Sequence, residues 1–282
     1  MQTMRQEPPL IDYLAIGHVA KDKTIEGFAL GGTVSYSGRT ALSLGLNVAI
    51  ITSCSDTFDL SALAGIRLHR LASQHTTSFE NIYTQDRRIQ KITAKATDLN
   101  PHVIPEDWRN AKIVHLAPIA REVEPELLNY FSPEFIGITP QGWLRVWDSS
   151  DFVQVTRWET IKHLLPKADA VVLSDEDLQF NEEAETEMAK HCRVLAVTKA
   201  ARGASIYWGD EQCDIPAFEA IEVDSTGSGD IFASAFFFQY HQTRDPVYAG
   251  IFANRVASVS ITRQGIQSIP TKSEIEDAGL II

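Results

Sequence analysis

Short apolar runs alternate along the chain with segments of helical character. Six runs have the length and composition of buried strands, and they lie at residues 13–17, 47–52, 112–117, 135–139, 170–173 and 194–198. The segments that predict helices lie at residues 34–44, 125–131, 158–165, 182–191, 229–241 and 246–263. Continuous apolar strands separated by helices indicate a parallel sheet that is covered on both faces. We therefore predict a three-layer α/β sandwich with a mostly parallel central sheet.

Two segments break this alternation. Apolar and polar residues are interleaved between about residues 78 and 93, which is typical of a hairpin with one wet face. Residues 204–218 predict a second hairpin, around Gly209-Asp210. No repeat or flexible linker divides the sequence, so residues 1–282 are interpreted as a single α/β domain with a small β excursion.

Composition narrows the class of protein. Of 282 residues, 44% are hydrophobic and 22% are charged, as in an ordinary soluble domain, and the net charge of −12 argues against a nucleic-acid or membrane binder. Residues 1–9 carry no apolar signal core, and the run at 232–238 is too short to span a bilayer. Three cysteines without zinc-ligand spacing fit a reducing compartment, so we expect a cytoplasmic protein.

A glycine-rich acidic turn carries the clearest chemistry. Asp224-Ser-Thr-Gly-Ser-Gly-Asp230 stands directly before the apolar run of a predicted helix. Glycines leave backbone N–H groups uncovered, and a helix N-terminus with uncovered donors favours an anion. A carboxylate beside such a site repels the anion unless it accepts a proton from the attacking group. This combination indicates phosphoryl transfer to a hydroxyl.

The order of several elements resembles the ribokinase-like (PfkB) family of carbohydrate and nucleoside kinases. These elements are Gly17, Asp22, Gly31-Gly32, the loop from Thr198 to Gly203, the acidic turn and Arg263-Gln-Gly265. The family signature runs Asp-Thr-x-Gly-Ala-Gly-Asp, and here Ser225 and Ser228 replace its threonine and alanine. The resemblance extends from about residue 14 to 270. It implies a ribokinase-like fold and an ATP-dependent kinase.

The resemblance assigns roles within the turn. Asp230 would be the base that accepts the proton of the acceptor hydroxyl. The backbone N–H groups of Gly227, Ser228 and Gly229 would form the anion hole for the γ-phosphate of ATP. Such a division of labour suits a loose phosphoryl transition state, in which the protein mainly positions groups and neutralises charge.

The resemblance also implies a nucleotide site. The segment from Thr198 to Gly203 is similar to the family's Thr-x-Gly-x-x-Gly loop, with Ala200 in place of the first glycine. Lys199 either reaches a phosphate or is solvated. Asn254 and Ser258 fall where the family lines its adenine pocket, with exposed or capping residues as the alternative.

Metal sites are implied less directly. Ser174-Asp-Glu-Asp177 stands where the family often carries Asn-x-x-Glu, so Asp177 or Asp175 could organise Mg²⁺. An acidic helix N-terminus is the alternative. Members of the family that bind a monovalent cation such as K⁺ place it at the positions of Asp224, Ser225, Arg263 and Gly265.

The acceptor is expected between Asp22 and Asp230. Asp22 would bind two hydroxyls of a polyol, and Gly31 and Gly32 would allow close backbone approach. Tyr36 replaces the asparagine with which ribokinases bind sugar, which counts against ribose.

The segment 139–147 is similar to a strand end of fructokinase-like members, with Gln141 and Arg145 facing the site. Arg145 would pair with an acidic group or a phosphate, or else pack against the loop. A polyol such as inositol, or a sugar, ranks first as the acceptor, and a nucleoside second.

The β excursion matches the lid of this family. Residues of about 21–31 and 78–100 would cover the acceptor and exclude water, and two lids could pair into a homodimer. A monomer is the alternative. The rival to the kinase is a ligand-binding or regulatory protein that keeps the fold without turnover; Ala200 and the altered Asp177 region favour it, and the intact Gly229-Asp230 opposes it.

Overall fold

Strands and helices alternate over most of the chain. The computed structural model describes residues 10–24, 27–83 and 88–280, so residues 1–9 and the tip of the predicted first hairpin, residues 84–87, lie outside the described residues. The strands are β1 (Tyr13–Ile16), β2 (Ala20–Thr24), β3 (Gly27–Gly31), β4 (Val48–Cys54), β5 (Arg67–Ala72), β6 (Thr77–Tyr83), β7 (Arg88–Ala94), β8 (Ile113–Leu116), β9 (Phe135–Ile138), β10 (Arg145–Trp147), β11 (Val153–Val155), β12 (Ala170–Ser174), β13 (Val194–Thr198), β14 (Ala204–Trp208) and β15 (Glu211–Ile215). The α-helices are α1 (Thr33–Ser43), α2 (Gln141–Leu144), α3 (Glu182–Ala189), α4 (Ser228–Thr243), α5 (Pro246–Ser260) and α6 (Lys272–Leu280).

The predicted sheet is confirmed. Nine strands of the described chain form it in the order β15-β14-β13-β12-β9-β8-β1-β4-β5. Its pairs are parallel from β13 to β5, and the β14–β15 hairpin adds two antiparallel strands at one edge. Because the parallel strands are buried on both faces, they have the continuous apolar sequence that predicted them. Strand β5 was not predicted, because charged residues interrupt its apolar positions.

The two faces of the sheet are covered differently. Helices α1, α4, α5 and α6 pack on one face. The other face is covered by α2, α3 and short 3₁₀ turns. The predicted helices at 125–131 and 158–165 are wrong, since 3₁₀ turns stand there at Pro125–Asn129, Trp158–Ile161 and Leu165–Lys167. Segments this short gain too few helical bonds to offset nucleation, and Pro166 would end any helix before it.

Helix α4 is held against the middle of the sheet. Phe232, Phe236 and Phe237 are buried in the core, and burying each such side chain contributes about 1.5–3 kcal/mol. The ring of Phe237 lies against Gly137 of β9, where an added Cβ would come within 2.6 Å of the ring. This close approach positions the N-terminus of α4, and with it the acidic turn. In the described part of the chain, no helix has the length and apolar character that crossing a membrane requires.

A second, smaller sheet occupies the segments predicted as the lid. Its order is β3-β2-β6-β7, with antiparallel pairs at both ends and a parallel pair between β2 and β6. Its inward residues Phe79 and Ile92 pack with Ala20 and with Ile119 and Ala120 of the main domain. The lid sheet therefore meets the main sheet beside the residues predicted to bind the acceptor.

Candidate active site

The acidic turn is fixed by the side chain of Asp224. Its Oδ1 accepts a hydrogen bond from the Thr226 N–H at 2.9 Å, and its Oδ2 accepts one from the Gly265 N–H at 3.0 Å. These bonds lower the pKa of Asp224 in spite of the opposing effect of burial, which is the larger single influence. The carboxylate thus ties the turn to the loop that follows α5. Arg263, at the start of that loop, pairs with Glu274.

Gly227 gives the turn its shape. It caps α4 in the left-handed conformation, with φ 79° and ψ −2°, which favours glycine. The first bond within the helix runs from the Ile231 N–H to the Gly227 carbonyl at 2.9 Å. Among the predicted anion donors, the Ser228 N–H is used within the turn, since it donates to the Ser225 carbonyl at 3.1 Å. The N–H groups of Gly229 and Asp230 have no acceptor within the helix and form its N-terminal donor pair.

Asp230 lies in the first turn of α4, where several groups meet. Burial, the strongest influence, raises its pKa to about 6. A hydrogen bond from Thr33 and the positive charge of Arg145 act against burial, whereas the carboxylates of Asp177 and Asp22 add to it. A carboxyl with this pKa is ionised at neutral pH yet basic enough to accept a proton.

Tyr36 forms the wall behind the turn. It is buried on α1, and a Cβ added to Gly227 would fall 2.3 Å from its ring. Burial raises the pKa of the Tyr36 hydroxyl, and the nearby charges of Asp22, Asp230 and Asp224 raise it further. Tyr36 is thus a neutral phenol that faces the predicted acceptor and anion sites together.

Asp22 and the glycine pair stand where the lid meets the main domain. The carboxylate of Asp22 lies directly on Gly31, where an added Cβ would come 1.9 Å from Oδ2. Gly32 adopts φ 89°, and a Cβ there would come 2.5 Å from the His18 carbonyl. The glycines thus allow Asp22 and the backbone to approach each other closely.

Arg145 reaches the site from the opposite side. Its side chain is buried; Nη1 donates to the Ile119 carbonyl at 3.1 Å, and the guanidinium lies over the Phe79 ring of the lid at 5.4 Å. Gln141, four residues before it, donates to Oδ1 of Asp177 at 3.4 Å. Arg145 therefore touches the lid and supplies positive charge to Asp230.

A buried carboxylate that the sequence did not reveal shapes the loop under Arg145. Glu122 is fully buried and accepts hydrogen bonds from the N–H groups of His18, Ile119 and Ala120 at 2.7–3.1 Å. The pattern of the sequence gave no signal for it, because its partners are backbone N–H groups of its own loop and of the distant His18, which only the fold brings together. Glu122 thereby holds the residue whose carbonyl, that of Ile119, accepts a hydrogen bond from Arg145.

The loop predicted to bind the nucleotide has a left-handed backbone at two positions, and its lysine contacts a carboxylate. Ala200 has φ 48° and Gly203 has φ 92°, so both family glycine positions retain a left-handed backbone. The ammonium of Lys199 lies 2.8 Å from the buried Oε2 of Glu185, which also accepts from the Tyr207 hydroxyl at 3.0 Å. A buried ion pair thus engages Lys199, whereas the sequence predicted contact with a phosphate or with solvent.

The two residues predicted for the adenine pocket are engaged within the protein. Asn254 is buried, and its Nδ2 donates to the carbonyls of Ile215 and Pro216 at 3.3 and 2.9 Å. The Ser258 hydroxyl donates to the Asn254 carbonyl at 2.8 Å, one helical turn earlier. Thr198 donates to the Leu173 carbonyl at 3.4 Å. Asn254 therefore anchors the segment that enters the acidic turn, rather than presenting its amide to a ligand.

The two predicted metal residues differ. Asp175 is buried in an ion pair with Arg202, so it does not face the site; burial raises its pKa, with Arg202 acting against that rise. Asp177 closes a capping box with Ser174 and contributes negative charge to Asp230. The described residues contain no group of three or more histidine, cysteine or acidic side chains able to hold a metal. Asp177 is thus the predicted metal residue that lies in the site.

The described structure brings most of the predicted catalytic and acceptor residues together. Asp22, Tyr36, Arg145, Asp177 and Asp230 interact directly or through their charges. Thr33 was missed, although it follows the predicted glycine pair immediately, and that position was the available signal. The roles themselves stay predictions.

Comparisons with known proteins agree with this architecture. Residues 149–272 match the family profile described as pfkB family carbohydrate kinase. Residues 149–272 therefore match the PfkB family, and the chain has a ribokinase-like fold.

Curated relatives are similar at modest identity. A Bacillus subtilis ribokinase is 35% identical over 91 residues, which cover 32% of this chain and 31% of that protein. The cytidine kinase of Thermococcus kodakarensis is 22% identical over 83% of this chain and 90% of its own. Rice inositol 3-kinase is 21% identical over 93% of this chain and 71% of its own.

Solved structures share the fold over almost the whole chain. A sulfate complex of a pyrophosphate-dependent kinase in the ribokinase family has a TM-score of 0.80, 22% identity, and coverage of 94% of this chain and 99% of that one. A pyrophosphate-dependent kinase with a pyrophosphate analog and myo-inositol has a TM-score of 0.79, 23% identity and the same coverages. Ribokinase from Thermotoga maritima has a TM-score of 0.74, 18% identity, and coverage of 95% and 99%.

Proposed function

We propose that the protein transfers a phosphoryl group to a hydroxyl of a small, uncharged polyol or sugar. The observation that carries this proposal is the place of Asp230, which stands beside the donor pair of α4 with a pKa raised to about 6. An anion held by these N–H groups and an acceptor hydroxyl held between Asp22 and Asp230 would meet at that carboxylate.

In this proposal the transfer proceeds in one step. The acceptor oxygen forms a bond to the terminal phosphorus of the donor as the bridging P–O bond breaks, and the hydroxyl proton passes to Asp230. The N–H groups of Gly229 and Asp230 and the positive charge of Arg145 would neutralise charge on the transferred group. The lid would exclude water, so that the donor is not hydrolysed.

The charges of the site favour an uncharged acceptor. Three carboxylates, Asp22, Asp177 and Asp230, interact across the site, and Arg145 offsets only part of their charge. A phosphorylated or acidic acceptor would be repelled in such surroundings, whereas carboxylates accept hydrogen bonds from polyol hydroxyls readily. The similarity to an inositol kinase supports a polyol, and the similarity to a cytidine kinase supports a nucleoside as the alternative.

ATP is the proposed donor, and pyrophosphate is a second candidate. Two observations favour pyrophosphate: Asn254 and Ser258 are engaged within the protein, and solved structures of the same fold are described as pyrophosphate-dependent. The left-handed loop at Ala200 and Gly203, similar to the family's nucleotide loop, favours ATP.

We propose that Mg²⁺ is held mainly by phosphates of the donor and interacts with Asp177 through water. Both carboxylate oxygens of Asp177 already accept hydrogen bonds, from Ser174 and Gln141, and Mg²⁺ commonly keeps several waters. A monovalent cation such as K⁺ would bind between two loops, the acidic turn and the loop that follows α5. The hydrogen bond from the Gly265 N–H to the Asp224 carboxylate joins these loops. We further propose a homodimer through the lid sheet, because Phe28 and Ile82 expose 61% and 37% of their surface there.

The test is a panel of donors and acceptors monitored by ³¹P NMR. ATP or pyrophosphate, each with Mg²⁺ and with or without K⁺, is incubated with myo-inositol, fructose, ribose, cytidine or fructose 6-phosphate. We expect a new phosphomonoester from one uncharged acceptor and none from fructose 6-phosphate. If no pair yields a product while equilibrium dialysis detects a bound acceptor, the protein is a ligand-binding protein with a kinase fold.

A further inference from the structure

Two fully buried polar residues lie beneath the active site, on adjacent strands of the central sheet. The hydroxyl of Tyr13 on β1 is 2.8 Å from Nδ1 of His115 on β8. The other ring nitrogen of His115, Nε2, is 2.9 Å from Oγ1 of Thr139. Buried polar groups in such apolar strands are costly unless they are fully hydrogen-bonded, so their presence calls for a reason.

The His115 ring is neutral in the core. Burial lowers the pKa of His115 to about 3, so the ring is neutral and carries one N–H. One ring nitrogen therefore donates and the other accepts, and either tautomer lets the hydroxyls of Tyr13 and Thr139 satisfy both nitrogens. Because the ring stays neutral across the working pH range, its two hydrogen bonds persist there.

One end of the network reaches the catalytic turn. The hydroxyls of Ser37 on α1 and Ser234 on α4 lie close enough to the Tyr13 hydroxyl to lower its pKa, against the larger effect of burial. Ser37 in turn donates to the main-chain carbonyl of Asp230 at 3.0 Å, and Ser234 donates to the Ser37 carbonyl at 3.0 Å. The first turn of α4 is thus joined to α1 through the group around Tyr13.

The other end reaches the acceptor side. Thr139 directly follows β9 and precedes Gln141 and Arg145, which approach Asp177 and the lid. The edge of the His115 ring also contacts the Phe237 ring of α4, with centroids 5.0 Å apart. The network therefore spans the distance between the two segments that must face each other across the substrate.

We propose that Tyr13 and His115 are positioning residues, which hold the Asp230 turn at the correct distance from the Thr139–Arg145 segment. They touch no substrate and act through Ser37, Ser234 and Thr139. This inference rests on the proposed function only for its kinetic consequence, because the position and titration of Asp230 are measurable without turnover.

The experiment compares Tyr13→Phe and Ser37→Ala with Tyr207→Phe in the full chain. Tyr207→Phe is the matched control, because it also removes a buried hydroxyl hydrogen bond, to Glu185. The titration of Asp230 is followed by NMR of ¹³C-labelled aspartate carboxyls, with Asp230→Asn assigning the resonance. Turnover is measured with the donor and acceptor that give a product in the panel.

We expect Tyr13→Phe and Ser37→Ala to shift the Asp230 titration to higher pH, because its contacts with Thr33 and Arg145 loosen. We expect kcat to fall about ten- to a hundredfold with KM changed less than about threefold. Tyr207→Phe should alter neither. If Tyr13→Phe does not fold, the Asp230 titration and kcat of Ser37→Ala provide the test. An unchanged Asp230 titration and kcat, with only a lower melting temperature, would overturn the inference; a wild-type protein without turnover would instead refute the proposed function.

Discussion

The ring of Tyr36 lies directly against the backbone of Gly227, so that a Cβ at Gly227 would come 2.3 Å from Cδ1 of the ring. This contact joins α1 to the N-terminus of α4 at the predicted anion site. Gly227 is therefore required twice, for its left-handed φ of 79° and for its lack of a side chain.

We expect Gly227→Ala to abolish most of the activity. The new methyl group must displace either the Tyr36 ring or the turn, and either movement misaligns Asp230 and the N–H donors. A misplacement of about 1 Å costs about a hundredfold in rate. Measurement of kcat and of thermal unfolding would test this.

Gly209→Ala is the matched control for the backbone strain alone. Gly209 has φ 56° in the β14–β15 hairpin, and an added Cβ there has open space around it. It should lose about 1–2 kcal/mol of stability and keep full kcat. Equal kcat in both variants would show that the contact with Tyr36 is unimportant.

Thr33 should set the lower pH limit of activity. Asp230 must be ionised to act as a base, so activity is expected to fall as the pH drops through about 6. The Thr33 hydrogen bond favours the ionised carboxylate, so Thr33→Val should raise the pKa of Asp230 and move the acid limb of kcat/KM to higher pH.

Thr40→Val serves as the control for this shift. Thr40 is also buried on α1, but its hydroxyl donates only to the Tyr36 carbonyl at 2.8 Å. Its acid limb should remain that of the wild type. An unshifted acid limb in Thr33→Val would remove Thr33 from the site.

Lys199 should matter more to stability than to turnover. Replacing it by methionine leaves the buried carboxylate of Glu185 without its 2.8 Å partner, which costs about 3–5 kcal/mol. We expect a lower free energy of unfolding for Lys199→Met, and KM for the donor within about threefold of the wild type below the melting temperature.

The double variant Lys199→Met/Glu185→Met should recover much of the lost stability, because two apolar side chains can replace a buried ion pair. If Lys199→Met instead keeps its stability and raises KM for the donor more than tenfold, Lys199 binds phosphate as the sequence suggested.

The parts of the fold that the sequence predicts are those that depend on local pattern. The apolar strands are predictable because they are buried on both faces and so have continuous apolar sequences. The turn before α4 is predictable because its glycines and Asp230 are adjacent in the sequence. The site residues Asp22 and Arg145 came from the resemblance to a family. The helices expected at 125–131 and 158–165 failed because tertiary packing stabilises 3₁₀ turns there.

Other features depend on partners far apart in the chain. Glu185 forms an ion pair with Lys199, and the carbonyls of Ile215 and Pro216 accept hydrogen bonds from the side-chain amide of Asn254. Neither pairing has a signal in the local sequence. Tyr13 and His115 are similar cases, since each lies within an apolar strand and is satisfied only when β1, β8 and α4 come together.

We propose Asp230 as the base for phosphoryl transfer, and the Asp230→Asn variant isolates this role. Single-turnover rates of the wild type and the variant are compared with the donor and acceptor that react in the panel, alongside donor affinity and thermal unfolding at pH 5 and pH 7. Because burial raises the pKa of Asp230, its ionisation destabilises the fold as the pH rises towards and through about 6. The variant should therefore gain stability relative to the wild type at pH 7 and gain less at pH 5.

We expect Asp230→Asn to bind the donor as the wild type does and to lose at least about a hundredfold in rate. A variant that transfers phosphate at the wild-type rate would contradict it.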